Sequence, residues 1–416
     1  MGAADQDMRT GDGEFVREIN RFHVLDGIRR FEPVSRTELV ERTQLSRGTV
    51  STLVGDLIAE GLVDERAADS RENASRGRPR ILLRMNPNAA FVVGVKISMH
   101  QLSISVTNLR ADPLAALILP IRPGRLGAEA VAAILEDGVR AAVSKAGLAM
   151  GQIRGIGVGL PGFIDSRAGV SRWSPILGPE PVAFAEMMQR RLGPPTVIQN
   201  DANLVAMAER WFGHGQDVDD FVVITLEAGV GMGLYIAGEL RQGFHGLGSE
   251  FGHTKVSLAD GAPCRCGQSG CLEAYVGNYA ILREAGRHGE GPSTADELEI
   301  DREMHRLAEL ARGGDPALRR VFERAGSVLG LGVANLINLV DPAKVILSGA
   351  GIHSADLFAP ALKAAVAANS HRGVAGRCEL VIREWGDDVW ARGAASLILE
   401  GLYRAPGPKA VAGGAI

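Results

Sequence analysis

The stretch EFGHTKVSLADGAPCRCGQSGCLEAY, Glu250 to Tyr275, gathers a histidine and three of the chain's four cysteines between two glutamates. His253, Cys264, Cys266 and Cys271 are ligand types that suit Zn²⁺, because thiolates and an imidazole fill a tetrahedral shell. The GQSG between Cys266 and Cys271 lets the backbone turn tightly enough for both thiols to face one point. Four protein ligands leave no open position, so an ion here holds a loop in place and does not activate water. That argues against a zinc hydrolase. Two other readings remain: reduced thiols in a glycine-rich loop, or a DNA-binding zinc ribbon, although a ribbon brings two separated ligand pairs. Glu250 lies just before His253 and Glu273 just after Cys271, so a pinned loop fixes two carboxylates in space, the preorganisation a binding site needs.

Working outward, 416 residues exceed one ordinary core and point to two or three domains. No apolar run has the length of a bilayer span, and MGAADQDMRTGDGE lacks the charged start and apolar stretch of a leader, so a cytoplasmic protein with no membrane partner is expected. Cysteines this few and this bunched suit a metal better than disulfides. The net charge of −4 carries no nucleic-acid signal, and even residues 15–82 hold 12 Arg against 11 Asp and Glu. Any case for DNA binding rests on pattern.

That pattern lies near the N-terminus. Phe15, Val16, Ile19, Phe22, Leu25 and Ile28 recur at helical spacing before Pro33. Ser35 and Glu38 form a capping box ahead of Leu39 and Val40. Ser46 caps a third helix with Val50, Leu53, Val54, Leu57 and Ile58 on one face, closed by Gly61. Leu62 and Val63 start a strand, and Glu65–Met85 returns as a hairpin-like wing. Three helices and a wing are the architecture that seats a recognition helix in the major groove of operator DNA. Ser46, Arg47, Thr49, Ser51 and Thr52 sit toward its N-terminal end, with Arg47 the first candidate to read a base. In the wing, Arg76 and Arg78 flank a glycine in SRGRPR, a shape suited to the minor groove. Alone, that hexapeptide also reads as a solvated linker, and the helices as a dimerisation domain.

From Phe91 the texture changes to α/β: FVVGVKIS, LSISVTNL, a helix near Ala128–Lys145, then IRGIGVGLPGFID. A second set runs from FVVITLEAGVGMGLYIAG through KVILSGAGI to a helix near Trp390–Leu402. Parallel grammar in the two halves suggests two lobes with a cleft between them. There, LPGFID and VIQNDANLVAMAE bring Asn200 and Asp201 to a strand end before a helix, where amide and carboxylate suit paired sugar hydroxyls. NDAN by itself also reads as a helix cap.

These motifs resemble the ROK family of repressors, open reading frames and kinases, specifically its transcriptional-regulator branch, over nearly the whole chain. EFGHTKV followed by CRCGQSGCLEAY is the most specific match. The resemblance implies a two-lobed α/β body of actin and hexokinase type (RNase H-like) behind the winged helix-turn-helix. It also implies that Asn200, Asp201, Glu250, His253 and Glu273 line a sugar site, His253 holding structural Zn²⁺ by one ring nitrogen and facing the sugar with the other. The family's kinases use the residue matching Asp201 as base. Here the phosphate motifs depart: GVKIS puts Lys96 where the enzymes carry an acid, and EAGVGMG puts Glu227 and Ala228 where they carry glycine and threonine. A glutamate there repels a triphosphate. SGAGI at Ser348–Ile352 keeps the later glycine turn.

The expectation is a non-enzymatic sugar sensor, a repressor acting as a homodimer or homotetramer, with Asp201 a vestigial base. A monosaccharide or sugar-phosphate closes the lobes and shifts the DNA-binding heads. The alternative is a sugar kinase with a fused DNA-binding domain. The expected divisions are a disordered N-terminal segment at 1–14, the winged helix at 15–82, lobe 1 at 83–205 with a C-terminal helix at 388–404, lobe 2 at 206–387, and a loose tail at 405–416.

Overall fold

The computed structural model describes residues 13–67, 80–121, 127–258, 260–286, 297–384 and 387–403. The N-terminal domain comprises α1 (Gly13–Phe31), β1 (Val34–Ser35), α2 (Arg36–Thr43), α3 (Arg47–Ala59), β2 (Val63–Ala67) and β3 (Ile81–Met85). Gly13 and Glu14 are therefore helical and not part of a disordered N-terminal segment; residues 1–12 and 404–416 lie outside the described set. At α2, the Ser35 hydroxyl accepts the Glu38 N–H while the Glu38 carboxylate takes the Ser35 N–H at 2.8 Å, the expected capping box. Gly61, at φ +74°, closes α3: its N–H reaches Ile58 O and that of Leu62 reaches Leu57 O, both at 2.9 Å. This is a Schellman end, which favours glycine. The three short strands form one sheet in the order β1-β3-β2.

Lobe 1 contains β4 (Phe91–Ile97), β5 (Gln101–Asn108), β6 (Pro113–Pro120), α4 (Gly127–Lys145), β7 (Ile153–Leu160), the hairpin β8 (Phe163–Asp165) and β9 (Val170–Trp173), α5 (Phe184–Leu192), β10 (Thr196–Asn200) and α6 (Asp201–Phe212). Lobe 2 follows with β11 (Phe221–Leu226), β12 (Val230–Ile236), β13 (Glu239–Leu240), α7 (Glu273–Val276), α8 (Asn278–Glu284), α9 (Glu297–Arg312), α10 (Pro316–Val340), β14 (Lys344–Ser348), α11 (Ala355–Asn369) and β15 (Glu379–Ile382), and α12 (Asp387–Tyr403) returns to lobe 1. The sheets run β6-β5-β4-β7-β10 and β13-β12-β11-β14-β15. In each, an antiparallel meander continues into two parallel strands, so the duplicated grammar of the sequence is a duplicated topology.

Helices α6 and α12 pack against each other between the sheets, α12 on β4, β5 and β7 and α6 on β11 and β12. Small residues permit this: a Cβ on Gly94 would stand 1.8 Å from Ala391 O, and one on Gly393 2.3 Å from Leu204 O. The boundary expected at 205/206 is corrected accordingly, because α6 runs unbroken through it and packs on the second sheet.

The winged helix also shares one apolar core with the body. Val24, Leu25, Ile28, Leu39 and Leu57 cluster with Trp211 of α6 and with Ile398, Leu399 and Tyr403 of α12. Arg29 lies 4.4 Å over the Trp211 ring, Trp211 meets Tyr403 edge-on at 5.2 Å, and Arg110 pairs with Glu32 at 2.8 Å.

Candidate functional site

One loop segment folds back on itself so that ligand atoms of His253, Cys264, Cys266 and Cys271 lie within 4.8 Å of one another. Gly270, at φ +76°, makes the turn; a Cβ there would strike Ser257 O at 2.1 Å. Cys266 and Cys271 Sγ are 3.8 Å apart and Cys264 Sγ is 3.7 Å from His253 Nδ1. A tetrahedral ion with metal–sulfur bonds of ~2.3 Å needs sulfurs ~3.8 Å apart, so the donor set fits a single closed-shell metal ion. Burial pushes the Cys271 thiol up to about 11, against the lowering effect of Lys255. Lys255 donates to Cys271 Sγ at 3.3 Å and to Ser269 O at 2.7 Å. This lysine was not singled out from the sequence, although it stands in the same motif as His253.

Glu250 and Glu273 lie beside this cluster. His253 turns Nε2 toward Glu250, 3.8 Å from its Oε2. Glu250 keeps 46% of its side chain accessible, yet desolvation by the surrounding cleft, reinforced by Glu273, raises its carboxyl above the usual range, against the pull of His253. Glu273 is more deeply placed than a pocket rim requires, at 7% exposed. Its Oε2 accepts the Val230 N–H at 3.1 Å, and its Oε1 faces Tyr279 OH at 3.5 Å and Cys264 Sγ at 3.7 Å. It couples the metal set to the turn before β12.

Across from this wall, Asn200 caps α6: its Oδ1 accepts the Ala202 N–H at 2.9 Å while its Nδ2 donates to Gly162 O at 3.1 Å. Asp201 is the first residue of α6, and its Oδ1 accepts from the same N–H. The capping reading of NDAN therefore holds for Asn200 and places Asp201 at a helix N-terminus, which favours its charge. Close packing joins the two walls: a Cβ on Gly231 would meet Ala202 Cβ at 2.7 Å, and one on Gly252 would meet Val230 O at 2.4 Å. Strand β12 is thus packed on Ala202, next to Asp201, and on Gly252, next to His253.

Between the two lobes, Lys96 of β4 meets Glu227, the residue after β11, at 3.5 Å. Their side chains are 12% and 31% exposed, so the pair is partly desolvated. Glu227 is fixed by Asn278 N–H to its carbonyl at 3.2 Å and by packing against Gly349 of the SGAGI turn. The sequence marked each residue as unusual without showing that they meet.

In the winged helix, Ser46 caps α3 by accepting the Thr49 N–H at 3.1 Å. Ser46, Arg47, Ser51 and Thr52 are exposed, whereas Thr49 is half-buried with its hydroxyl 2.8 Å from that of Ser46. Other arginines of the domain pair locally: Arg17 with Asp56, Arg29 and Arg30 with Asp26, and Arg36 with Glu65. Arg47 has no carboxylate partner among the described residues. Strands β2 and β3 form the wing's base, Ala67 opposite Ile81; Arg76 and Arg78 lie outside the described residues. No described helix is long and apolar enough to cross a membrane.

The sequence profile of the ROK family matches residues 93–400, and that of the MarR family residues 18–72. The xylose repressor of Caldicellulosiruptor bescii is 28% identical over 357 residues, covering 85% of this chain and 88% of its own. A crystal structure of a ROK family transcriptional regulator, a homolog of the E. coli MLC protein, matches at TM-score 0.77 and 26% identity, covering 94% of this chain and 98% of that one. The ROK hexokinase of Thermus thermophilus matches at TM-score 0.62 and 27% identity over 75% of this chain and 99% of its own.

Proposed function

Because the chain belongs to the ROK family and carries a winged helix ahead of the family's body, we propose that it is a sugar-responsive transcriptional repressor. The observation that carries this reading is the shared core: Trp211, at one end of α6, packs with the winged helix, and Asp201 is the first residue at the other end. One rigid helix thus joins effector site and DNA-binding head. Arg47, Ser46, Ser51 and Thr52 present the head to operator DNA, with Arg76 and Arg78 entering the minor groove. Thr49 contributes through the cap more than through base contact.

A monosaccharide or sugar-phosphate is held between Asn200 and Asp201 on one wall and Glu250 and His253 on the other, with Glu273 as the buttress behind. Zn²⁺ at His253, Cys264, Cys266 and Cys271 is structural and fixes the wall on which Glu250 and His253 stand. Sugar that bridges the walls favours one lobe arrangement over another, and this differential affinity loosens the grip on the operator. Two copies, as a homodimer or within a homotetramer, match a two-fold operator.

Phosphoryl transfer is disfavoured at the Lys96–Glu227 pair, since a carboxylate stands where phosphate charge would gather. The kinase alternative keeps support from Asp201 and the SGAGI turn. A thermal-shift screen of the full chain against monosaccharides and their phosphates, then operator binding with and without the hit, tests the reading. A sugar that raises the melting temperature and weakens operator binding is expected. Turnover in an ATP-coupled assay with that sugar would establish the kinase instead.

A further inference from the structure

We infer that the crevice continues into a second sugar subsite at its mouth, so that the effector is an equatorially linked oligosaccharide or glycoside and not a lone ring. This rests on the sugar-binding reading above. The observation is an exposed aromatic pair on the β8–β9 hairpin, outside both large sheets. Phe163 and Trp173 are opposite one another in the hairpin, their rings 5.6 Å apart and tilted by 44°. They are 40% and 42% exposed, so both rings keep apolar surface open to an occupant.

Their location gives the occupant. Asn200 donates to Gly162 O, one residue before Phe163, so the pair begins where the candidate sugar site ends. Alternation sends Ile164 into the lobe 1 core at 1% exposed and leaves Phe163 and Asp165 on the other face. That face meets lobe 2: Ser166 Oγ donates to Gln242 Oε1 at 2.7 Å, and a Cβ on Gly246 would stand 3.8 Å from Asp165 Cα. Arg172 donates to Asp165 at 2.9 Å beside the rings. Flat aromatic faces flanked by a carboxylate and a guanidinium suit a pyranose, whose C–H face is apolar and whose edge carries hydroxyls. An equatorial linkage keeps successive rings extended, as a subsite in line with the first requires.

Titration calorimetry on the full-length protein provides the test, with xylose, glucose, N-acetylglucosamine and the β-1,4-linked dimer of each. For the sugar that binds, its dimer is expected to bind at least tenfold tighter than the monomer. Trp173→Ala is expected to lower the dimer's affinity to the monomer's while leaving the monomer's unchanged, and Trp173→Phe to retain most of the gain. Equal affinity for monomer and dimer, or a Trp173→Ala loss shared by both, overturns the subsite and leaves the monosaccharide reading intact. Binding of neither overturns both. If Trp173→Ala instead dissociates an oligomer in sedimentation without altering dimer binding, the pair is a contact between copies and the subsite is refuted.

Discussion

Asp201 has one oxygen committed to the Ala202 N–H and stands at the N-terminus of α6, so its carboxylate is held in place for a hydroxyl donor. A hydrogen bond to a charged group contributes roughly 1.5–3 kcal/mol. Asp201→Ala should therefore weaken sugar binding by about 10- to 150-fold in calorimetry, with metal content and melting temperature nearly unchanged. Cys264 plays a different part, touching His253, Glu273 and Tyr279 at 3.7 Å each. Removing its thiolate leaves three ligands and unhinges both glutamates' support. Cys264→Ser is expected to lose the bound metal by elemental analysis, to melt lower, and to lose sugar affinity together with stability. Cys378→Ser is the control: that thiol, pushed up to about 11 by burial, lies outside the cluster and should leave metal content unaltered. The members of the histidine–cysteine cluster were legible because all four fall in one short segment. The depth of Glu273 was not, because a residue's burial depends on what packs over it from β12 and α8.

Short elements were read well from their own neighbours. The box at Ser35 and Glu38 and the turn at Gly61 are decided by hydrogen bonds within five residues, so the sequence contains the whole argument. Ser35→Ala should destabilise the winged helix by ~1 kcal/mol in urea titration. Backbone and hydroxyl bonds from Ser35 hold the Glu38 carboxyl below its usual range. Its stabilisation is therefore full at neutral pH and is lost as pH falls through that lowered pKa, so the difference between wild type and Glu38→Gln should narrow in acid. Longer-range roles were hidden. Nothing in the periodicity of α6 or α12 says that each lies between two sheets, which is why a domain boundary was drawn through α6. The signal was present in the glycines: Gly94 tolerates no Cβ beneath α12. Gly94→Val should cost at least ~3 kcal/mol, the upper end of overpacking. Because α12 carries Ile398, Leu399 and Tyr403 into the core shared with the winged helix, amide exchange should show the head loosening along with lobe 1.

At the scale of the molecule, the question is how occupancy of a crevice reaches a DNA-binding surface. The head is packed on α6 and α12, so it follows the helices that lie between the sheets and does not hang from a linker. Any change in the angle between the lobes must either move the head or strain that core. Lys96 and Glu227 tie the lobes together beside the turn after β11, whose Ala228 carbonyl accepts from Arg265 of the metal loop at 2.6 Å, and their contact exists in only those arrangements that keep β4 beside that turn. Pairs of this exposure contribute at most about 1 kcal/mol, a small fraction of the stability of the fold but comparable to a coupling free energy between two sites. Breaking the pair shifts the population of lobe arrangements. If sugar and operator prefer opposite arrangements, linkage requires their affinities to move in opposite directions. Lys96→Ala and Glu227→Ala should each change sugar and operator dissociation constants by a few-fold in opposite senses, and the double variant should show no further change. An additive double variant means that the two side chains do not act as a pair, and affinities that shift in the same sense mean that the sugar promotes operator binding.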